Sequence, residues 1–403
     1  MSGLRRLLLL TFLESFATIL VERAAYFFAH HALGFTDQAN LWLALAFGAV
    51  YAAAAVASHS VTVRIGERRL LLFTLVGQLV VHAALALWAA PAALFGGMIL
   101  LGGLNGLKWP VVESYVSAGH APADTVRAVG RFNISWSGAV PLALAAAGPI
   151  IDAWPNGIFL AAAVLNVVSL GLSLPLAPRP LHLADDHPDR PALGELRRCG
   201  QLLVSSRWIM LASYALMWVL AALIPRLFQT LGYSVSHSTA LSGLIDVCRW
   251  LTFVVLTLWA GWRGRSGPIV LSMIGLPAGF FLVLYGPAIA SGLGGDAVGL
   301  AAVLAGEVLF GLAAGMTYFC ALYYAMIVKN ASVAAGGGHE GLIGSGFFLG
   351  PAAGLLGAMI CPGPVGITIG VLPILMVGVG GGLRALVRTT GRREAETQRE
   401  EER

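Results

Sequence analysis

Twelve long apolar stretches, separated by short polar segments, constrain the fold of this chain more than any other feature. Each is long enough for a helix to cross a bilayer, which takes about 20 mostly apolar residues. The runs are continuous and do not alternate with period two, which excludes the strands of a membrane barrel. The sequence therefore predicts an all-α polytopic membrane protein with 12 transmembrane helices. The predicted spans are 7–30, 41–63, 70–90, 92–118, 129–151, 155–176, 207–228, 237–262, 268–288, 297–327, 340–361 and 364–387.

The composition excludes the main soluble classes. The chain has 403 residues, of which 58% are hydrophobic and 11% charged, whereas soluble domains carry about 25% charged residues. A soluble enzyme, a nucleic-acid-binding domain and a disordered protein are all excluded, because so little polar surface cannot cover the chain in water. The four cysteines have wide, irregular spacing, so we expect no disulfide framework, no metal site and no cofactor.

The positions of the basic residues predict the orientation. If the N-terminus is cytoplasmic and the spans alternate, 21 of the 25 Lys and Arg residues lie on the inside, and the other four, Arg23, Lys108, Arg226 and Arg249, lie within spans. This is the positive-inside pattern, which predicts that both termini are cytoplasmic. It also explains the net charge of +5 without a nucleic-acid partner. The large excess of Arg over Lys favours a bacterial origin, and hence the inner membrane.

A polar segment in the middle of the chain divides it into two groups of six spans. We expect an N-terminal half (1–176), a cytoplasmic linker (177–206), a C-terminal half (207–390) and a disordered tail (391–403). A faint repeat relates the halves at an offset of 209: Gly102-x-x-x-Gly106 aligns with Gly311-x-x-x-Gly315. Small residues four apart let helices approach closely. Parallel six-helix pseudo-repeats are typical of transporters.

The loop between spans two and three contains the most specific motif, Val63-Arg64-Ile65-Gly66-Glu67-Arg68-Arg69. With the span count and the central linker, it resembles the major facilitator superfamily of secondary transporters. Arg64, Gly66, Arg68 and Arg69 match the gating-loop motif of that family. Val63 stands where the family carries an Asp, which puts in doubt the charge contact that latches the outward-open state.

The resemblance implies that spans one, four, seven and ten line a central cavity, and several charged residues fall on them. A charge at the bilayer centre costs at least about 2.5–3.5 kcal/mol, so each needs a reason. We expect Lys108 to pair with Glu22, and Glu14 and Glu113 to be neutralised by Arg64 or Arg131. The candidate substrate-binding or proton-coupling residues are Glu22, Arg23, Tyr26, Asn105, Lys108, Trp109, Trp136, Asp246, Arg249, Glu307 and Tyr318.

Two features of this set concern charge. Asp246 and Arg249 are three residues apart, so they share a helix face and are expected to pair. Glu307 has no basic residue in its own span, which makes it the first candidate for a carboxyl that is protonated in part of a transport cycle. Glu22 is the second candidate. For both residues, static pairing is the alternative.

Together these observations predict a secondary active transporter that moves a small organic solute by alternating access, coupled to protons. We expect a monomer whose partners are the solute, protons and the bilayer. A membrane enzyme acting on lipid and a transport-inactive sensor are the alternatives. ATP-driven transport is excluded, because the sequence has no phosphate-binding Gly-x-x-x-x-Gly-Lys pattern.

Overall fold

The computed structural model describes residues 3–117, 122–180, 193–293, 295–328 and 333–401. Every regular element in these ranges is helical. The α-helices are α1 (Gly3–Glu22), α2 (Ala24–Leu33), α3 (Asp37–Ile65), α4 (Glu67–Leu87), α5 (Pro91–Ser117), α6 (Pro122–Ala153), α7 (Gly157–Ser173), α8 (Leu193–Thr230), α9 (Val235–Ser242), α10 (Leu244–Leu258), α11 (Gly267–Leu293), α12 (Asp296–Val328), α13 (Val333–Ile360) and α14 (Pro364–Glu401).

These helices form the twelve predicted spans, and two of the spans are interrupted. Span one consists of α1 and α2, which meet at Arg23, and span eight consists of α9 and α10, which meet at Gly243. The other ten spans are single helices. In the described chain, nine spans have the length and hydropathy to cross a membrane, and α7 is apolar but shorter, with 17 residues. The predicted twelve-helix membrane fold is confirmed.

Three helices begin well before the start that the apolar pattern predicts. Helix α6 begins at Pro122 rather than near 129, α8 at Leu193 rather than near 207, and α13 at Val333 rather than near 340. The early turns of α13 pack on the bundle: Gly336 lies against Pro110 of α5, and Gly337 against the backbone of Ala55. Packing against other helices extends a helix beyond its apolar run.

Of the predicted linker, residues 181–192 lie outside the described residues. The predicted disorder of the tail, 391–403, stays a prediction, because no side chain is described there.

The repeat detected in the sequence has a structural counterpart. Gly102 packs against the backbone of α3 at Phe47, and Gly311 packs against the backbone of α10 at Ile245. Span four therefore lies on span two in the first half, as span ten lies on span eight in the second. Tyr115 and Tyr324 are related by the same offset of 209, and both hydrogen-bond to a loop of their own half. The hydroxyl of Tyr115 donates to the carbonyl of Ala177, whereas that of Tyr324 accepts from the N–H of Gly264.

Two seams join the halves, and both are closed along their length. In the first, between α3 and α13, a Cβ on Gly344 would lie 2.6 Å from the Cα of Ala52, so only glycine permits this approach. In the second, between α6 and α9–α10, Gly138 lies against Trp250 and Gly148 against Ser236. The halves are therefore in contact through the whole thickness of the bundle.

The two ends of the bundle differ in charge. We call the end at which α1 begins and α3 ends the arginine-rich end, because Arg5, Arg6, Arg64 and Arg69 lie there. The other end is the arginine-poor end. There the halves share polar contacts: the Asn40 side chain donates to the carbonyl of Ala222 at 3.2 Å, Arg226 pairs with Asp37 at 3.3 Å, and His30 bonds with Gln229 at 2.7 Å.

The twelve-span path predicts that thiols at the two ends react from opposite sides of a membrane. Cys361 is partly exposed in the turn between α13 and α14, and Val63 is 63% exposed at the arginine-rich end. A membrane-impermeant maleimide should label Cys361 from one side, and a Val63→Cys, Cys361→Ser variant from the other. The other three cysteines are buried and serve as the internal control. Labelling of both sites from one side would contradict the path.

Candidate functional site

A central cavity of about 90 Å³ lies where the two halves meet. This volume holds only a few water molecules, since each needs roughly 10–15 Å³. Its lining comes from both halves, and six of the eleven residues predicted from the sequence belong to it. They are Glu22, Arg23, Trp109, Trp136, Arg249 and Tyr318.

A charge bridge crosses between the halves beside this cavity. Arg23 of the N-terminal half and Arg249 of the C-terminal half both bind Asp246, with N–O distances of 3.4 and 2.6 Å. The predicted pairing of Asp246 with Arg249 is confirmed, whereas the contact with Arg23 was not expected. All three side chains are buried. The bridge lies near the interruptions at Arg23 and Gly243, so the broken spans meet at an ion pair.

Helix α5 carries a second buried ion pair, which corrects the predicted partner of Lys108. The Lys108 ammonium donates to Glu14 at 2.8 Å, and to the side-chain oxygen of Gln78 at 3.1 Å. The prediction that it binds Glu22 is therefore wrong, because α1 presents Glu14, two turns earlier, to Lys108. Glu14 is also not neutralised by Arg64 or Arg131, which are both exposed.

Glu22 lies at the end of the same polar network, without a cation. Its carboxylate accepts from the Asn105 amide at 2.9 Å, and the Asn105 oxygen accepts from Gln78 at 2.6 Å. Since Gln78 also binds Lys108, hydrogen bonds connect the Glu22 carboxylate at the cavity wall with the ion pair. The further members of the network are Thr18, His82 and Asn166.

Aromatic rings form much of the cavity wall. The Trp136 ring lies 4.8 Å from the Arg249 guanidinium carbon, a cation–π contact between the halves. It also meets Tyr318 edge to face, with 5.2 Å between ring centroids. Trp218 and Phe347 stack at 3.7 Å. These rings give the cavity an apolar body between charged groups.

Two of the predicted residues are buried behind the cavity wall and lack hydrogen bonds. Neither carboxyl oxygen of Glu307 has a hydrogen-bond partner among the described residues, and the charged groups that act on it are Asp246 and Arg23. The Tyr26 hydroxyl likewise has no partner in the described chain. Glu307 is thus a buried carboxyl beside the bridge rather than a cavity-lining group.

A second pair of carboxyls, Glu113 and Glu340, was not predicted as a unit. Glu113 of α5 faces α13, where a Cβ on Gly336 would lie 2.7 Å from its Oε2. Glu340 of α13 lines the cavity and accepts a hydrogen bond from the Tyr51 hydroxyl. The carboxyls are close enough to act directly on each other. The apolar pattern does not indicate this pair, because Glu340 lies at the edge of the predicted span eleven.

The predicted gating loop makes its described contacts within the N-terminal half. Gly66 joins α3 to α4 with φ +86°, a conformation that favours glycine. The Arg68 guanidinium donates to the carbonyls of Leu176 and Leu174 at 3.0 and 3.4 Å, which fastens α4 to the end of α7. Arg64, Arg69 and Val63 are exposed, so the loop's gating role stays a prediction.

Comparison with known proteins places the chain in a family. The family model described as Major Facilitator Superfamily matches residues 7–355. The chain belongs to the Major Facilitator Superfamily. A search of curated proteins finds no match.

Solved structures of the superfamily share the fold at low sequence identity. A POT family transporter bound to a thioalcohol-conjugated peptide has a TM-score of 0.68 at 14% identity, with 96% of each chain covered. The nucleoside transporter NupG has a TM-score of 0.66 at 13% identity, covering 96% of this chain and 99% of that one. The human organic anion transporter MFSD10 (TETRAN) gives 0.59 at 14%, covering 95% and 100%. At these identities the likeness establishes the fold alone.

The Lys108–Glu14 pair predicts a specific pattern of stability. Lys108→Met leaves Glu14 buried without its cation, and removing one partner of a buried pair costs about 3–5 kcal/mol. A Lys108→Met, Glu14→Gln double variant should regain most of that loss, because no unpaired charge remains. Chemical denaturation in detergent measures both. A single variant as stable as the parent would contradict the pairing.

Proposed function

We propose that this protein is a secondary active transporter that moves a small organic solute by alternating access and couples this movement to protons. The solute occupies the central cavity, and the two halves part at one end of the bundle and then at the other. Family membership and a central cavity lined by both halves support this proposal.

The balance of buried charge is the observation that carries the proton coupling. Among the described residues, six acidic side chains are buried but only three Lys or Arg side chains. Six carboxylates against three cations would leave a net charge of −3 inside the bundle, and unpaired charges in such an interior are costly. Some of these carboxyls must therefore bind protons. The acids are Glu14, Glu22, Glu113, Asp246, Glu307 and Glu340, and the bases are Arg23, Lys108 and Arg249.

Glu307 and Glu22 are suited to couple protons to movement. When the halves part, α1 carries Arg23 away from Asp246, and the nearby Glu307 loses the same positive neighbour. Proton uptake by Glu307 would then compensate for the lost charge. Glu22 lines the cavity with a single amide donor, so its protonation state can respond directly to a bound solute.

The chemistry of the cavity favours an organic solute with an apolar or planar body and a charged or polar end. Trp109, Trp136 and Tyr318 supply ring surfaces. Arg249 lines the cavity, and its Nε has no hydrogen-bond partner in the described chain, so it can bind an acidic group.

We further propose that the protein works as a monomer in a bacterial inner membrane, with the arginine-rich end in the cytoplasm. The positive-inside pattern supports this orientation. Of the alternatives, a lipid-modifying enzyme needs a polar reactive cluster near a membrane surface. The described residues hold no group of three or more His, Cys, Asp or Glu that could bind a metal.

A ligand screen by thermal stability tests the proposal before any substrate is known. The purified protein in detergent is heated with sugars, peptides, organic acids, cations and drugs. A true substrate should raise the apparent stability by about 2.7 kcal/mol at a hundredfold excess over its dissociation constant. An Arg249→Gln variant should lose the response to acidic compounds. A protein that binds compounds but moves none of them in proteoliposomes would be the sensor and not the transporter.

The variant Glu307→Gln tests proton coupling, with a compound that the thermal-stability screen has identified as a ligand. In proteoliposomes, the variant should no longer accumulate the compound against its gradient when a pH gradient is imposed, because the side chain cannot take up the proton. Exchange of labelled for unlabelled compound should continue, since it needs no net proton movement. Glu195→Gln, at an exposed position, is the control. Undiminished accumulation in Glu307→Gln would remove Glu307 from the coupling.

A further inference from the structure

The two sides of the cavity are closed by different chemistry. The Arg23–Asp246 contact joins the halves on the side of the arginine-poor end as an ion pair. On the side of the arginine-rich end, α5 and α13 meet instead at two acids, Glu113 and Glu340. Both are buried, with exposed fractions of 1% and 5%, and no Lys or Arg in the described chain forms an ion pair with either.

The hydrogen bonds of the two acids are unequal. Glu340 accepts from the Tyr51 hydroxyl, whereas neither oxygen of Glu113 has a donor among the described residues. Two ionised carboxylates facing each other in a dry interface repel strongly, so such a pair holds one proton between them. A proton on Glu113 would be donated to the Glu340 carboxylate, which the Tyr51 hydroxyl already stabilises.

In the described chain, no cation is among the groups that act directly on the pair. The titratable groups that act on the pair are Glu22 of α1, Tyr51 of α3, Tyr214 of α8 and Tyr318 of α12. Beside Glu340 on α13 lies His339, a buried ring whose nitrogens have no partner in the described chain. Arg207 of α8 is the cation that acts on this ring.

We propose that Glu113 and Glu340 form a proton-binding site whose single shared proton holds α5 against α13, so that the arginine-rich end opens only when this proton leaves. When the helices separate, the O–H bond of the protonated carboxyl breaks and the proton passes to water at the arginine-rich end, leaving two hydrated carboxylates. Closing this end takes up one proton again. Glu340 lines the cavity, so a proton entering from the arginine-poor end can reach the pair. This site rests on the proton-coupled function proposed above and assigns it a second proton position.

The test measures opening of the arginine-rich end without solute or gradient. Spin labels are attached at Val63→Cys and Arg265→Cys, exposed positions of the two halves at that end, in a Cys361→Ser background. The distance between them is measured in the purified full-length protein in lipid nanodiscs. Between about pH 5.5 and about pH 8.5, the ratio of long to short distances should rise by up to about tenfold per pH unit, because one proton is released on opening.

Glu113→Gln and Glu340→Gln should both abolish this pH dependence and keep the end closed. In each variant a carboxamide N–H replaces the shared proton as the donor to the remaining carboxylate. Glu195→Gln is the control, since it removes an exposed carboxyl at the beginning of α8 and should leave the pH dependence intact. Tyr51→Phe keeps both acids but removes the hydrogen bond from Tyr51 of α3 to Glu340 of α13, which helps to hold the halves together, so it should move the midpoint of opening to lower pH.

Two results would overturn the site: a parent protein that stays closed over the whole range, or the parent's pH dependence in both Gln variants. Tyr51→Phe keeps the proposal testable if a Gln variant misfolds, because an unchanged midpoint would also count against it. If the site fails while uptake in proteoliposomes still follows the proton gradient, the proton-coupled function stands and only this position of the proton is wrong.

Discussion

A charge inside this bundle must be paired or neutralised, and the arrangement of the helices follows from how each charge meets that condition. Lys108 is neutralised within the N-terminal half by Glu14, and a chain of amide hydrogen bonds connects this ion pair with Glu22. Arg23 is neutralised by a residue of the other half, Asp246. Because removing one partner of a buried pair is strongly destabilising, the first pair fixes the N-terminal half internally. The second pair, Arg23 with Asp246, fixes the position of the two halves relative to each other.

Glycine makes the closed arrangement possible, since charged groups on opposite halves can meet only if the helices that carry them approach closely. Gly344 of α13 lies so near the backbone of α3, and Gly336 of α13 so near the Glu113 carboxyl of α5, that a side chain would not fit at either position. The motif at Gly102 and Gly106 performs the same task within the first half. Neighbouring helices thus replace water as the surroundings of the polar groups, and dispersion contacts replace the hydrophobic effect as the source of association.

The spans, the repeat and the Asp246–Arg249 pair could be predicted, because each is local in sequence: a run of apolar residues, a spacing of four, a spacing of three. Pairs between residues on different helices could not be predicted. Lys108 was assigned to Glu22 rather than Glu14, since the rotation of α1 depends on its packing against neighbouring helices. Glu340 was missed because helix α13 continues past its apolar run, and only contacts with α3 and α5 make those early turns part of the membrane interior.

The unequal closure of the cavity has a consequence for how the protein responds to its surroundings. Arg23 and Asp246 form an ion pair, so that side is governed by competition with ions and polar molecules that enter the cavity. A carboxyl pair is indifferent to such competitors until it titrates. In the proposed cycle, the contents of the cavity therefore control the arginine-poor side, and the acidity beyond the arginine-rich end controls the other side. A change in one of these conditions then leaves the other side as it was.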